Sequence, residues 1–257
     1  MTISSRPAPP NAVRVWRGYR LPTLPLDQFF SKLGTVFVPA TVLMQINAGL
    51  YSYTPTVPAG LAGKPDSVPD ETAVLFWDSQ ATYWNGFTTL AVRTYTLTHG
   101  GVYNNQSRAD LPVFFSGSLN ADEPVFLFDR PADWMHGTVT HLVAGRAPDV
   151  DPNAFRGAIA KQLSAIQAKV PLDGAIACAG DDYLVYWELR PAAPGTPTPP
   201  SGIANLQTVL TGWKQVFTPA PTFLPIGLWD NWAGMDVRTG SSFNMQFNRR
   251  VNNGNEA

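Results

Sequence analysis

Two stretches of this chain carry the same marks in the same order, and an internal repeat limits the possible folds more than any single motif does. "AVLFWDS" at 73–79 and "YLVYWEL" at 183–189 are apolar runs that reach an aromatic-Trp pair and then an acid. Phe76-Trp77-Asp78 answers Tyr186-Trp187-Glu188. Arg20-Leu21-Pro22 begins nine residues before Phe29, and Arg146-Ala147-Pro148 begins nine before Phe155. These registers are offset by 126 residues and the aromatic-acid pairs by 110. The difference of 16 falls on a longer loop in the first half, "PTVPAGLAGKPDSVPD".

The elements between these marks also repeat. In the first half, "AVRVWRGYRL" fits a strand by its β-branched and aromatic residues. A helix follows within residues 24–49, with Asp27 as its cap, Pro39 as a kink and Gly49 as its stop. "LYSYTPTV" and "ETAVLFWDS" read as strands. Residues 79–101 read as one helix, capped by Ser79 and stopped by Gly100-Gly101, and "LPVFFSGSL" and "EPVFLFD" as a hairpin. In the second half, "HGTVTHLVAGR" is a strand. Residues 151–170 form a helix with Asp151 as cap, Pro152 in the first turn, and a stripe of Phe155, Ile159, Leu163 and Ile166. "DGAIACAG" and "DDYLVYWELR" are strands around a tight turn. "IANLQTVLTGWKQVF" is a helix, and "SSFNMQFNRR" is a strand whose Phe243, Met245 and Phe247 close the second sheet.

The order β-α-β-β-α-β, found twice, resembles two ferredoxin-like units, and the chain is similar to the dimeric α+β barrel superfamily in a duplicated single-chain form. The resemblance spans roughly residues 12–250 and rests on element order and repeat. It implies an α+β fold of two antiparallel sheets with helices outside. The units would be 12–130 and 131–250, between a disordered N-terminus (1–11) and a disordered tail (251–257). Members of that superfamily include cofactor-free monooxygenases, cyclases, dehydratases, isomerases, haem proteins and non-enzymatic binders, so the fold leaves the chemistry open. Its haem members commonly carry an axial histidine on a helix of the second unit. Neither second-half helix has one, so no haem is expected.

Composition excludes several partners. Across 257 residues the charged fraction is 14 % and the net charge −1, which gives no basic surface for nucleic acid or an anionic membrane. The N-terminal "MTISSRPAPPNAV" lacks an apolar core of signal-peptide length, and no stretch approaches the ~20 apolar residues of a membrane helix. A cytoplasmic protein is expected. The single cysteine, Cys178, allows no intrachain disulfide, and its flanks "GAIACAGDD" suggest a small buried hydrophobe. Three scattered histidines make no metal motif, and no phosphate-binding loop or nucleophile elbow is present. No metal or cofactor is expected.

Candidate chemistry falls on a few residues. Alternation along 72–78 sets Thr72, Val74, Phe76 and Asp78 on one face and Ala73, Leu75 and Trp77 on the other. Asp78 then either caps the following helix or serves as a base at a pocket mouth. His99 either binds helix-terminal carbonyls or transfers protons beside Tyr95 and Tyr103. His141 is either a buried neutral histidine or a pocket residue, while His136 reads as a surface residue. Trp16, Tyr19, Trp77, Tyr83 and Trp84, with Arg17 or Arg20, can form an apolar pocket with a polar anchor. The leading expectation is a small-molecule enzyme that holds a largely apolar substrate and uses cofactor-independent acid/base chemistry. His99, Asp78, Tyr83 and Arg17 would be catalytic; Trp16, Tyr19, Trp77, Tyr95, Tyr103 and His141 would line the site. The competing reading is a non-catalytic binding or assembly protein. The Pro-rich loop 191–202, expected to be a flexible excursion, and the Trp-rich loop 227–236, a lid or a surface cap, favour it. A homo-oligomer is compatible with both.

Overall fold

Two six-stranded sheets, mostly antiparallel, pack face to face, and helices cover their outer faces. The computed structural model describes residues 12–38, 40–41, 48–56, 64–77, 79–128, 138–190, 201–217, 221–223 and 244–246, with 51–52, 138, 221–223 and 244–246 described by backbone alone. Asp78, His136, residues 1–11, 191–200, 227–236 and 251–257 lie outside the described residues, and with them the readings made above for those positions. No helix among the described residues is long and apolar enough to cross a membrane.

The first sheet is built on β1 (Ala12–Gly18), β2 (Leu50–Thr56), β3 (Glu71–Trp77) and β4 (Arg108–Asp110). Strand β1 lies between β3 and β4, and β2 flanks β3. The second sheet is built on β7 (Thr138–Gly145), β8 (Gly174–Ala179), β9 (Tyr183–Arg190) and β10 (Lys214–Phe217), in the order β10-β7-β9-β8. Each sheet is completed by two strands from the other half of the chain. Strands β5 (Val113–Phe114) and β6 (Pro124–Phe126) pair in parallel and join the second sheet through β8. Strands β11 (Pro221–Phe223) and β12 (Asn244–Gln246) join the first sheet, with Met245 opposite Tyr53. Two expectations fail here. The segments at 113–126 do not form a hairpin within the first unit, and the last strand extends the first sheet. A hairpin and a cross-sheet partner have the same alternation, so local pattern does not separate them.

Helices α1 (Leu26–Lys32), α2 (Gln80–Gly86) and α3 (Leu90–Thr98) lie in the first half, and α4 (Pro152–Lys169) and α5 (Gly202–Gln207) in the second. Asp27 sits in the first turn of α1 without capping it, and the helix runs on as a π-helical segment, Leu33–Phe37. The single helix expected over 79–101 is two. Ser79 caps the first by accepting from Thr82 N at 3.0 Å, and Thr89 caps the second by accepting from Val92 N at 3.3 Å. Gly86 and Thr88-Thr89 are weak helix formers that offer a new start instead. Asp151 caps α4 by accepting from Asn153 N and Ala154 N at 2.9 and 3.0 Å. The helix expected over 203–217 stops early and its end becomes β10. A side chain at Gly212 would meet Gly145 O at 2.3 Å, so this glycine lets the chain turn back against β7.

The two halves pack differently. Between the sheets, Val13, Val15, Val74 and Phe76 meet Val139, Val143, Ile176, Cys178, Val185 and Trp187, so the space between the sheets is filled. Outside the second sheet, Phe155, Ile159, Leu163 and Ile166 of α4 pack on Leu142, Ala177, Leu184 and Tyr186. Burying each such large side chain is worth about 1.5–3 kcal/mol, which makes this a solid core. Outside the first sheet the apolar residues divide into two clusters. One lies on the sheet around Leu50, Tyr53, Leu75 and Trp77. The other lies under the helices around Phe29, Phe37, Tyr95 and Tyr103.

Candidate functional site

A cavity of about 770 Å³ occupies the space between those clusters. Its floor is the outer face of the first sheet. Alternation along β1 turns Val13 and Val15 inward and Arg14 and Trp16 outward, while along β3 it turns Glu71, Leu75 and Trp77 outward. The roof comes from Phe37, Tyr83, Phe87, Val92, Tyr95 and His99. The exposed residues Gly100, Asn105 and Arg108 lie at its rim.

Glu71 lies in the floor and is 2 % exposed. Its carboxyl accepts from Trp16 Nε1 at 2.9 Å, from Tyr53 OH at 3.2 Å and from Tyr103 OH. Among the described residues no cation pairs with it. Burial raises its pKa above the usual carboxylate range, and the three donors oppose that rise. The phenols of Tyr53 and Tyr103 are pushed up by burial and by the acid beside them.

His99 closes the last turn of α3. Its Nδ1 lies 3.1 Å from Thr96 O and 3.3 Å from Tyr95 O, so Nδ1–H donates to helix-end carbonyls. Nε2 is then the unprotonated nitrogen, and it takes no hydrogen bond from the described residues. The ring sits against Phe37, Tyr95 and Trp16 at centroid distances of 4.7, 4.8 and 5.3 Å. Burial lowers its pKa, and the backbone bonds oppose that shift. A neutral imidazole with a fixed tautomer is suited to act as a base. Of the two alternatives read for His99, helix-end bonding and proton transfer, the first is seen directly, and the same ring also lines the cavity.

Six of the residues singled out in the sequence line this cavity: Trp16, Trp77, Tyr83, Tyr95, His99 and Tyr103. Tyr95 OH meets Thr41 Oγ1 at 2.5 Å, and Tyr83 packs edge-on against Trp77 with ring centroids 5.1 Å apart. Arg17, Tyr19 and His141 are elsewhere. Arg17 follows Trp16 and therefore points to the opposite face of β1, where it forms an ion pair with Asp110 and is 1 % exposed. Tyr19 donates to Ser67 O at 3.2 Å, and with Arg17 it lines a separate groove of about 270 Å³. His141 faces the packed layer between the sheets. It stacks on Trp187 with ring centroids 4.4 Å apart, and burial holds its pKa at about 3. Burial likewise raises the Cys178 thiol to about 11, which leaves it inert at neutral pH.

Glu71 and Arg14 were missed, although the alternation that set Leu75 and Trp77 on one face also sets Glu71 there, an acid on an apolar face. The guanidinium of Arg14 lies 4.0 Å above the Tyr83 ring. Among the described residues no cluster of three or more His, Cys, Asp or Glu is placed to hold a metal.

No family model matches the sequence, and no curated protein matches it. Among solved structures the chain is similar to a candidate monooxygenase from Lactobacillus acidophilus, at 9 % identity and a TM-score of 0.33, over 82 % of this chain and 93 % of that one. A candidate monooxygenase from Fusobacterium nucleatum gives 8 % and 0.35, over 81 % and 90 %. An anthrone oxidase-like protein gives 10 % and 0.33, over 80 % and 89 %. At these TM-scores the likeness identifies neither a family nor a reaction.

Proposed function

We propose that the chain is a small-molecule enzyme that holds a largely apolar substrate in this cavity and moves protons on it with side chains alone. One observation carries the reading: a neutral histidine of fixed tautomer stands in the wall of a large aromatic cavity. His99 Nε2 takes a proton from a carbon next to a carbonyl. The developing oxyanion is met by the hydroxyl of Tyr83, beside the positive charge of Arg14, which fills the part first assigned to Arg17. Glu71, tied to Trp16, Tyr53 and Tyr103, fixes the floor. Proton abstraction of this type is the opening step of the cyclase, isomerase and dehydratase reactions considered above, and it also supplies the carbanion that a cofactor-free monooxygenase would oxidise.

The test does not require the natural substrate. 2-Tetralone is an apolar ketone with acidic C–H bonds, and NMR in D2O follows exchange of those protons. The intact chain should accelerate exchange, and His99→Gln should lose about 100-fold or more of that acceleration. Exchange equally fast in H99Q would remove the histidine from the mechanism. Binding of the ketone with no acceleration would favour the non-catalytic reading.

We also infer that the two sheets descend from one duplicated ferredoxin-like unit. Both core strand orders support this, since each runs fourth, first, third, second in its half. The Nη1 of Arg20 donates to the carbonyls of Leu21 and Leu24, and that of Arg146 to the carbonyls of Ala147 and Val150, at the 126-residue offset. The aromatic-acid marks do not correspond in the same way. Trp77 faces the cavity, whereas Trp187 faces the layer between the sheets.

A further inference from the structure

The least satisfied charge in the cavity is Arg14. Its residue is 7 % exposed. Nη1 donates to Ala109 O at 3.2 Å, but Nε and Nη2 are buried without a hydrogen-bond partner among the described residues. The guanidinium plane is held by aromatic rings, 4.0 Å from the centroid of Tyr83 and 4.9 Å from that of Trp84. The nearby acid, Asp110, is engaged by Arg17 and by both Nε and Nη2 of Arg108. Glu71 is occupied by three neutral donors. A buried cation with two orphaned donors is costly to maintain, and an incoming anion would relieve that cost.

We propose that the cavity takes a monoanion: a rigid apolar molecule whose carboxylate, or an equivalent pair of coplanar oxygens, is bound by Nε–H and Nη2–H of Arg14. This rests on the reading of the cavity as a substrate site and narrows its substrate class. The guanidinium edge carrying Nε and one Nη matches two carboxylate oxygens in a parallel pair of bonds, a fit that lysine does not reproduce. Trp16, Leu75 and Trp77 supply the apolar surface on which the body of the ligand lies.

The probes are 2-naphthoate and its neutral isostere 2-naphthamide, titrated into the intact chain by calorimetry at low salt. Naphthoate should bind about tenfold or more tightly than the amide. Arg14→Met should abolish the preference and Arg14→Lys should reduce it, with thermal unfolding as the check that each variant folds. The wild-type comparison and R14K keep the test decisive if R14M does not fold. Equal affinity of the two probes for the wild type overturns the anion assignment and leaves the cavity reading standing. A preference that survives in folded R14M also overturns it, because another cation would then read the charge. Failure of both probes to bind overturns the anion assignment and the cavity reading together.

Discussion

Tyr103 donates its phenolic hydrogen to the carboxyl of Glu71 in the floor of the cavity, and Trp16 donates to the same oxygen. A carboxyl so placed is worth more as an acceptor than as a charge. Glu71→Gln keeps an acceptor and should change stability by only about 1 kcal/mol at neutral pH. Glu71→Leu leaves Trp16, Tyr53 and Tyr103 without an acceptor and should cost about 2–5 kcal/mol. The sign of the pH effect follows from the raised pKa of Glu71 in the folded chain. Its contribution is fully present below the unfolded pKa and is lost as pH rises through the folded one. The wild type should therefore lose stability relative to E71Q as pH rises from the ordinary carboxylate pKa of about 4.3 towards neutrality, as measured by urea unfolding. A constant difference across that range would show that Glu71 is ionised throughout.

His141 gives the opposite dependence. Its folded pKa is held at about 3, against an ordinary 6.5. Above 6.5 neither state is protonated, and as pH falls below 6.5 only the unfolded chain takes up the proton. Stability should then fall by about 2 kcal/mol between pH 6.5 and pH 5. His141→Phe, which keeps a ring against Trp187, should remove that slope. The same slope in the variant would assign it to other groups.

Arg17 and Arg14 should separate cleanly. Arg17→Met removes the buried half of the pair, while Asp110, whose side chain is 29 % exposed, keeps its two bonds from Arg108. It should cost about 1.5–3 kcal/mol, the range for a hydrogen bond to a charged group. Probe affinity should stay within a few-fold of the wild type. A large loss of affinity in a fully folded R17M would place Arg17 at the site after all.

Alternation made much of this legible. It correctly grouped Leu75 with Trp77, and read as strictly it also sets Arg14 with Trp16 and apart from Arg17. Asp78, with its aromatic-acid echo at Glu188, is the more conspicuous acid in the sequence, whereas Glu71 stands at the start of the same apolar run. Glu188 is buried at the start of α5, where it accepts from Ser201 Oγ at 2.5 Å and from Ile203 N at 3.2 Å. The exchange of β5 and β6 for β11 and β12 was out of reach. Which sheet a short strand joins depends on distant partners, Ala177 for Val125 of β6 and Tyr53 for Met245 of β12, not on its own pattern. The hollow under α1 to α3 was equally hidden, because Phe37, Val92 and Tyr95 have the composition of a packed core and only their placement leaves space.

The central claim is that an apolar ligand enters between the first sheet and its helices, and not between the two sheets. The indole N–H signals of Trp16, Trp77 and Trp187, assigned in a ¹⁵N spectrum, report on those places separately. Trp16 and Trp77 line the cavity, whereas Trp187 lies in the filled layer. Titration with 2-tetralone should shift Trp16 and Trp77 and leave Trp187 unmoved. A shift of Trp187 with Trp16 and Trp77 fixed would put the ligand between the sheets and contradict the account.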